Sequence, residues 1–219
     1  MKTNILFIRG FNRKLTDIFD GYSSIKNVYP HMTYFDYSPD DDLIDVYKRL
    51  QKQIKKGKYT HLIGHSMGGG LLMRYIYDHK VNKDVKIILL MPLIYKTLIN
   101  QIIASIPFAS NISCPKGLLI PNSNLYEQGS FVNDTFKLVS LSQVSQMYNN
   151  IMLEPEHFIA KLNSCPNCVL FYATKEAFNT IPDSVLSKIK NVERIDGLHE
   201  VFNSVGTSGD FFKKLANYM

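Results

Sequence analysis

A serine flanked by glycines stands between a strand-like run and a helix-like run of the sequence. The segment is Gly64-His65-Ser66-Met67-Gly68, with the apolar residues 59–63 before it and residues 71–79, which favour a helix, after it. A serine hydroxyl is a poor nucleophile unless it is exposed beside a base and beside N–H groups that can stabilise a developing negative charge. A sharp strand-to-helix turn exposes the serine and supplies such N–H groups, and its strained, closely packed backbone requires small flanking residues. The segment therefore predicts that Ser66 is a nucleophile.

The stretches around this turn alternate as they do in a parallel sheet. Short β-rich runs alternate with longer amphipathic stretches through about the first ninety residues, which is typical of βα units. One amphipathic stretch has apolar residues at helical spacing from Leu43 to Ile54, and three aspartates precede it, where acidic side chains favour a helix start. The alternation returns after about residue 154. We predict strands at residues 4–8, 32–37, 59–63, 85–91, 169–173 and 192–195, and helices at residues 43–54, 71–79, 154–162, 182–189 and 209–218.

The pattern changes between these two halves. Residues 95–104 and 141–152 favour helices, whereas residues 112–126 are irregular and rich in Pro, Asn and Ser. We interpret residues 92–150 as a small, mostly helical cap inserted into one α/β domain that spans residues 1–219. The apolar side chains of the cap either line an acyl-binding cleft or form ordinary core, and the sequence favours neither. They are Ile99, Ile102, Ile103, Ile106, Phe108, Val144, Met147, Tyr148 and Ile151.

Composition is that of an ordinary globular domain, with 45% hydrophobic and 20% charged residues. No apolar run approaches the length of about 18 residues that a membrane span needs, and residues 4–8 are too short for a signal-peptide core. Three cysteines do not suggest a disulfide framework, so we expect a cytoplasmic protein. The net charge of +6 includes a lysine cluster at residues 52–58, which we interpret as a solvated helix end and not as a nucleic-acid site.

A second motif is Cys165-Pro166-Asn167-Cys168. A redox pair usually opens a helix after a strand, whereas Cys168 leads into a strand-like run, so we interpret both thiols as structural. A zinc site would need further Cys or His residues nearby, and none of the six histidines has the usual spacing from this motif. We predict no metal site.

A histidine near the end of the chain completes a resemblance. Together, the alternation, the Ser66 turn and the segment Gly197-Leu198-His199-Glu200-Val201-Phe202 resemble the α/β-hydrolase family over essentially the whole chain. The last segment is similar to that of lysophospholipase and monoacylglycerol-lipase relatives. The resemblance implies a mainly parallel sheet flanked by helices, a nucleophile elbow at Ser66 and a triad in the order serine, acid, histidine. It also implies that His199 is the base, because the other five histidines do not follow the final strand.

The resemblance places the acid after the strand that precedes the last one. The family typically has Gly-x-x-Asp there, and the corresponding stretch is Ala173-Thr174-Lys175-Glu176. Glutamate can orient an imidazole as aspartate does, so we expect Glu176 to be the acid. Asp183 and Asp196 stay open as alternatives.

The resemblance also implies two backbone donors for an oxyanion. One is the amide of Met67, which follows the nucleophile at the start of a helix. The other is the amide of Phe11 in the segment Arg9-Gly10-Phe11-Asn12, which resembles the family's His-Gly-Phe segment with Arg9 in place of histidine.

These parts imply two-step acyl transfer through an acyl-enzyme, with no metal or organic cofactor. We expect hydrolysis of a small-molecule carboxylic ester with a hydrophobic acyl group, such as a monoacylglycerol or a lysophospholipid, and such a substrate is compatible with peripheral membrane contact. An acyl thioesterase uses the same parts. A binding module on a hydrolase scaffold is the remaining alternative, because fold does not establish function.

Overall fold

The structure is a computed structural model. It describes residues 3–10, 22–38, 40–96, 98–105, 113–115, 138–177, 180–204 and 206–219. Within these ranges no helix combines the length and the apolar composition needed to cross a membrane. The same ranges contain no group of three or more His, Cys, Asp or Glu side chains that could hold a metal ion.

A parallel sheet of six strands forms the centre of the fold. The strands of the chain are β1 Ile5–Ile8, β2 Thr33–Phe35, β3 His61–His65, β4 Lys86–Leu90, β5 Ser113–Pro115, β6 Leu138–Ser140, β7 Cys168–Ala173 and β8 Val192–Ile195. The central sheet has the order β2-β1-β3-β4-β7-β8, and each neighbouring pair is parallel. Strands β5 and β6 form a separate antiparallel pair. The carboxyl ends of the six parallel strands therefore share one edge of the sheet.

Helices cover both faces of this sheet. The α-helices of the described residues are α1 Ser23–Val28, α2 Leu43–Lys56, α3 Met67–Asp78, α4 Leu98–Ser105, α5 Leu141–Gln146, α6 Pro155–Asn163, α7 Asp183–Leu186 and α8 Ser208–Ala216. Successive side chains of a strand point to opposite faces, so Leu6 and Ile8 join one apolar core and Ile5 and Phe7 join the other. The first core includes side chains of α2, α3 and α6, and the second includes side chains of α1 and α8. Burial on both faces explains the continuous apolar runs of the central strands.

The structure confirms the α/β fold with a mainly parallel sheet. The predicted ends of its six strands differ from the observed ends by at most two residues. The predicted helix after the three aspartates is α2, and Asp42 is its N-cap, accepting hydrogen bonds from the amides of Ile44 and Asp45. The sequence does not predict α1, in which Ile25 is the one buried residue and helical periodicity is therefore weak. It also does not predict the β5–β6 pair.

The segment predicted as a cap contributes to the main core. A π-helical turn, Met147–Ile151, continues α5, and Met147 and Ile151 are buried in the core that contains α3. For these two residues the core interpretation is therefore correct, whereas Ile102 on α4 is 54% exposed. The predictions for the side chains of Ile99, Ile103, Ile106 and Phe108 lie outside what the structure describes.

Helix α5 docks on the connection between β2 and α2 through two glutamine side chains. The Gln143 side-chain amide donates to the carbonyl oxygens of Ser38 and Asp41, each at 2.9 Å. The amide of Leu43 donates to the side-chain oxygen of Gln146 at 2.6 Å. These contacts fix part of the inserted segment against the edge of the domain.

Candidate active site

Ser66 lies at the junction between β3 and α3. Its backbone has φ 51° and ψ −119°, which is the left-handed region that non-glycine residues rarely occupy. Such strain persists only where the surrounding structure enforces it, and here two neighbouring segments do so. The Ser66 amide donates to the carbonyl oxygen of Leu90 at 2.9 Å, and the amide of Leu93 donates to the carbonyl oxygen of Ser66 at 2.8 Å.

The glycines around Ser66 allow the backbone segments to approach closely. A Cβ atom on Gly68 would lie 2.3 Å from the carbonyl oxygens of Ile8 and Arg9, and one on Gly64 would lie 2.7 Å from the carbonyl oxygen of Gly68. Side chains at these positions would push α3 away from β1 and from the end of β3. The start of α3 thus lies directly against the carboxyl end of β1, as the steric explanation of the motif requires.

A buried hydrogen bond joins His199 to Glu176. The distance from His199 Nδ1 to Glu176 Oε2 is 2.6 Å, and the two side chains are only 4% and 1% exposed. Glu176 follows β7, and His199 follows β8, so the sheet brings together two residues that lie 23 positions apart in sequence. The arrangement orients the imidazole and leaves its Nε2 atom as the nitrogen that can exchange a proton with a hydroxyl group.

Backbone hydrogen bonds hold these two loops at a fixed spacing. The amide of Thr174 donates to the carbonyl oxygen of Ile195 at 2.8 Å, and the amide of Lys175 donates to the carbonyl oxygen of Gly197 at 2.9 Å. They continue the pairing of β7 and β8 beyond the strand ends. The short Glu176–His199 distance therefore rests on the backbone as well as on the side chains.

The two alternative carboxylates face solvent and contact cations. Asp183 lies 3.1 Å from the Arg194 guanidinium, and its side chain is 85% exposed. Asp196 lies 3.1 Å from the Lys175 ammonium, and its side chain is 72% exposed. Hydrogen bonds from Lys175 and Thr174 lower the pKa of Asp196 below its usual value. These contacts describe surface ion pairs and not an acid that orients a buried imidazole.

The turn after β1 lies beside Ser66, because β1 and β3 are neighbours in the sheet. A Cβ atom on Gly10 would lie 3.1 Å from the Cβ atom of Ser66. The Gly10 amide donates to the Tyr22 hydroxyl at 2.7 Å. The Tyr37 hydroxyl contacts the carbonyl oxygens of Arg9 and Gly10 at 2.9 and 3.2 Å. Tyrosine side chains therefore bind both sides of this turn.

Arg9 stands where the resembling family has histidine, and its side chain is fully buried. Its guanidinium lies 3.2 Å from the Asp36 carboxylate and 4.3 Å from the centre of the Tyr37 ring. The arginine thus packs against the end of β2, on the side of β1 away from Ser66. Phe11, the predicted second oxyanion donor, lies outside the described residues.

Met67, the other predicted oxyanion donor, is the first residue of α3. The first amides of an α-helix have no acceptor within the helix, and the helix dipole favours negative charge at this end. The Met67 side chain is buried in the core, so its backbone is held firmly at the start of the helix. The structure therefore places a helix N-terminus directly after Ser66.

His65 is the histidine directly before Ser66. The sequence does not predict it as the base, but its ring contacts the residues around it. Its Nδ1 atom lies 2.8 Å from the Tyr22 hydroxyl, and its ring centre lies 5.0 Å from the ring centre of His199. The rings of His65 and Phe202 also lie 5.0 Å apart, edge to face. The sequence does not predict the contacts of Tyr22 and Tyr37, because neither residue lies in a motif and only the folded sheet brings them to the turn after β1.

The cysteine motif lies at the amino end of β7, at the opposite edge of the sheet from Ser66. Both thiols are free, with Cys168 buried and Cys165 partly exposed. A hydrogen bond between the two side chains lowers the pKa of Cys165 to about 7 and raises that of Cys168, whose burial raises it further. The pair is therefore separate from the candidate active site.

The parallel sheet, the strained serine turn after β3 and the loops after β7 and β8 that carry Glu176 and His199 together define the α/β-hydrolase fold. No protein-family model matches the chain, and no curated protein matches it by sequence. Solved structures do share its fold.

A monoacylglycerol lipase from Paleococcus ferrophilus has a TM-score of 0.65 and 14% identity to the chain, covering 98% of this chain and 93% of its own. A structure described with the metagenome-derived lipolytic enzymes LipS and LipT has a TM-score of 0.67 and 12% identity, covering 99% of this chain and 93% of its own. The esterase EaEST from Exiguobacterium antarcticum has a TM-score of 0.59 and 14% identity, covering 99% of this chain and 91% of its own. The chain has the α/β-hydrolase fold over nearly its whole length.

Proposed function

We propose that the protein is a serine hydrolase that cleaves carboxylic esters with a hydrophobic acyl group. The observation that carries this proposal is the buried 2.6 Å hydrogen bond between His199 and Glu176 beside a strained serine turn. A buried carboxylate and imidazole would be costly to retain for stability alone. Next to a serine in a strained turn, they are the groups that activate a hydroxyl nucleophile.

In the proposed reaction, the Ser66 oxygen attacks the ester carbonyl carbon while Nε2 of His199 takes the hydroxyl proton. Glu176 stays ionised, holds the tautomer that carries a proton on Nδ1 and stabilises the imidazolium that forms. The tetrahedral intermediate then collapses, the C–O bond to the alcohol breaks, and His199 gives its proton to the leaving oxygen. Water repeats the sequence on the acyl-enzyme, releasing the carboxylic acid and regenerating Ser66.

The oxyanion of the intermediate is proposed to accept hydrogen bonds from the amides of Met67 and Phe11. The Met67 amide is at the start of α3, where the helix dipole adds to the attraction. Within the turn after β1, the Gly10 amide already donates to the Tyr22 hydroxyl at 2.7 Å. This bond commits the Gly10 amide, so the amide of the next residue in the sequence, Phe11, is the donor that we propose.

We propose a lipid-like ester, such as a monoacylglycerol or a lysophospholipid, as the substrate. The apolar composition of the inserted segment at residues 92–150 supports an acyl-binding role, and the exposed Ile102 is one apolar side chain that it offers. Two similar structures are described as a monoacylglycerol lipase and as lipolytic enzymes, which supports the same substrate class. The free thiols of Cys165 and Cys168 are in keeping with a reducing compartment, and we propose that the enzyme acts in the cytoplasm.

The test is the hydrolysis of p-nitrophenyl esters of increasing acyl length by the wild type and by Ser66→Ala. We expect the wild type to prefer medium or long chains and Ser66→Ala to lose more than about 10⁴-fold in kcat. Ser204→Ala is the matched control, since Ser204 is equally buried and lies on the loop that follows His199. Parental turnover in folded Ser66→Ala would refute the proposal. A preference of the wild type for acyl-CoA by several powers of ten would instead assign the same site to thioesters.

A further inference from the structure

One hydroxyl group connects two parts of the candidate active site. The Tyr22 oxygen accepts a hydrogen bond from the Gly10 amide at 2.7 Å and lies 2.8 Å from Nδ1 of His65. Gly10 belongs to the turn after β1, and His65 is the residue before Ser66. The hydroxyl thus bridges the turn proposed to stabilise the oxyanion and the turn that carries the nucleophile.

The ring of Tyr22 is held so that its hydroxyl has little freedom to move. The side chain is fully buried just before α1. It meets the Phe7 ring edge to face at 4.9 Å and stacks on the Phe202 ring at 5.6 Å. Phe202 lies on the 3₁₀ turn Val201–Asn203, directly after the His199 segment. Tyr22 therefore contacts the oxyanion turn, the nucleophile elbow and the loop of the proposed base.

We infer that Tyr22 is a positioning residue that sets the distance between the oxyanion turn and Ser66. This inference rests on the proposed ester hydrolysis. Transition-state stabilisation depends on donors that are held in place before charge develops, and displacement by about 1 Å can cost about 10²-fold in rate. The Tyr22 hydroxyl supplies an acceptor that fixes the Gly10 amide. The Gly10 carbonyl, which shares a peptide unit with the next amide in sequence, accepts a hydrogen bond from the Tyr37 hydroxyl at 3.2 Å.

The same contact gives a structural reason for histidine in the elbow. An imidazole at position 65 reaches the Tyr22 hydroxyl with Nδ1 while its ring packs against the rings of His199 and Phe202. A smaller residue would lose the link to Tyr22, and an apolar ring would keep the packing without the hydrogen bond. His65 thus acts through Tyr22 and not as a second base.

The experiment compares Tyr22→Phe with Tyr34→Phe. Both variants remove one hydroxyl from a tyrosine that meets the Phe7 ring edge to face, and among the described residues the Tyr34 hydroxyl has no hydrogen-bond partner. We expect Tyr22→Phe to lower kcat about 10- to 100-fold with KM changed less than about threefold. We expect Tyr34→Phe to keep kcat within about twofold.

Binding of a tetrahedral-adduct inhibitor separates positioning from general loosening. An alkyl trifluoromethyl ketone forms an oxyanion on Ser66, whereas the matching alkyl methyl ketone reports only the binding of the alkyl group. Tyr22→Phe should weaken binding of the trifluoromethyl ketone by a factor close to its loss in kcat and leave binding of the methyl ketone unchanged. Equally weakened binding of both ligands, or a fall in kcat together with a matching rise in KM, would assign Tyr22 a structural role and overturn the inference.

His65→Phe tests the same link from its other end and keeps the inference testable if Tyr22→Phe is poorly folded. It keeps a ring at position 65 without the hydrogen bond to Tyr22 and should lower kcat in the same way. Where both single variants fold, the two substitutions together should cost no more than the larger single loss. Additive losses would contradict a single link. An active wild type with an inactive Ser66→Ala and an unimpaired Tyr22→Phe would reject the inference and keep the proposed function, whereas an inactive wild type would reject both.

Discussion

The two sides of Ser66 are held in place by different kinds of contact. On one side, Glu176 and His199 meet directly through a single buried hydrogen bond of 2.6 Å between loops that follow β7 and β8. On the other side, the turn after β1 is fixed indirectly, by the hydroxyls of Tyr22 and Tyr37 bound to its backbone. In the proposed mechanism, the first side depends on two side chains. The second depends on several residues that need not touch substrate.

This comparison predicts that a substitution on the acid and base side has the largest effect. Glu176→Gln keeps the shape of the side chain, but its amide can present a donor to Nδ1 of His199, which favours the wrong tautomer and withholds the negative charge. We expect kcat to fall about 10⁴-fold with little change in the unfolding midpoint. Ester hydrolysis and circular dichroism measure the two effects. A kcat within tenfold of the parent would remove Glu176 from the triad.

Crowding of the turn after β1 is expected to have a smaller effect. A Cβ atom on Gly10 would lie 3.0 Å from both the Tyr22 oxygen and Nδ1 of His65, and 3.1 Å from the Ser66 Cβ atom. Gly10→Ala should shift this turn by a fraction of an ångström and lower kcat about 10²-fold. Gly209→Ala is the control, since among the described residues no atom outside the local backbone lies within 4 Å of a Cβ added on that exposed part of α8. Equal kcat in the two variants would contradict a tightly fixed turn.

Loss of the Tyr37 hydroxyl is expected to have a still smaller effect on the turn after β1. Tyr37→Phe leaves the buried carbonyl oxygens of Arg9 and Gly10 without this donor. We expect a loss of about 1–3 kcal/mol in the free energy of unfolding and a fall in kcat of about tenfold or less. Denaturant titration and steady-state kinetics measure both. An unchanged stability would show that water replaces the hydroxyl.

The smallest effects are expected at the two surface carboxylates. Asp183→Asn and Asp196→Asn each remove one member of an exposed ion pair and leave the Glu176–His199 contact intact. We expect kcat within about twofold of the parent and stability within about 0.5 kcal/mol. A loss in kcat as large as that of Glu176→Gln at either position would identify that aspartate as the acid and contradict the comparison of the two sides.

The difference between the sides also explains what the sequence could predict. The strands of the parallel sheet have continuous apolar runs, so the sheet was predictable. Ser66 and His199 stand in segments whose glycines and order along the chain resemble a known family, so both could be proposed as site residues from the sequence. Tyr22 and Tyr37 reach Gly10 only through the sheet order, which places β1 between β2 and β3. No spacing along the chain predicts such contacts.

The packing of the segment predicted as a cap was not predictable, for a similar reason. Met147 and Ile151 have the helical spacing of either a cleft wall or a core, and the choice depends on where the segment docks. The close approach of Gly70 to Met147, whose Cε atom would lie 2.0 Å from an added Cβ, shows that the segment packs on α3. Pairing of Ser113–Pro115 with Leu138–Ser140 is nonlocal and left no periodic pattern in either short strand.

Labelling with an alkyl fluorophosphonate tests the central claim, that the fold activates Ser66 as a nucleophile, most directly. The probe forms a covalent bond only with an activated hydroxyl, and mass spectrometry of peptides locates it. We predict stoichiometric labelling of the wild type on Ser66, none on Ser66→Ala and labelling slowed by more than about 10²-fold on Glu176→Gln. Absence of labelling on folded wild-type protein, or labelling at another residue, would contradict the account.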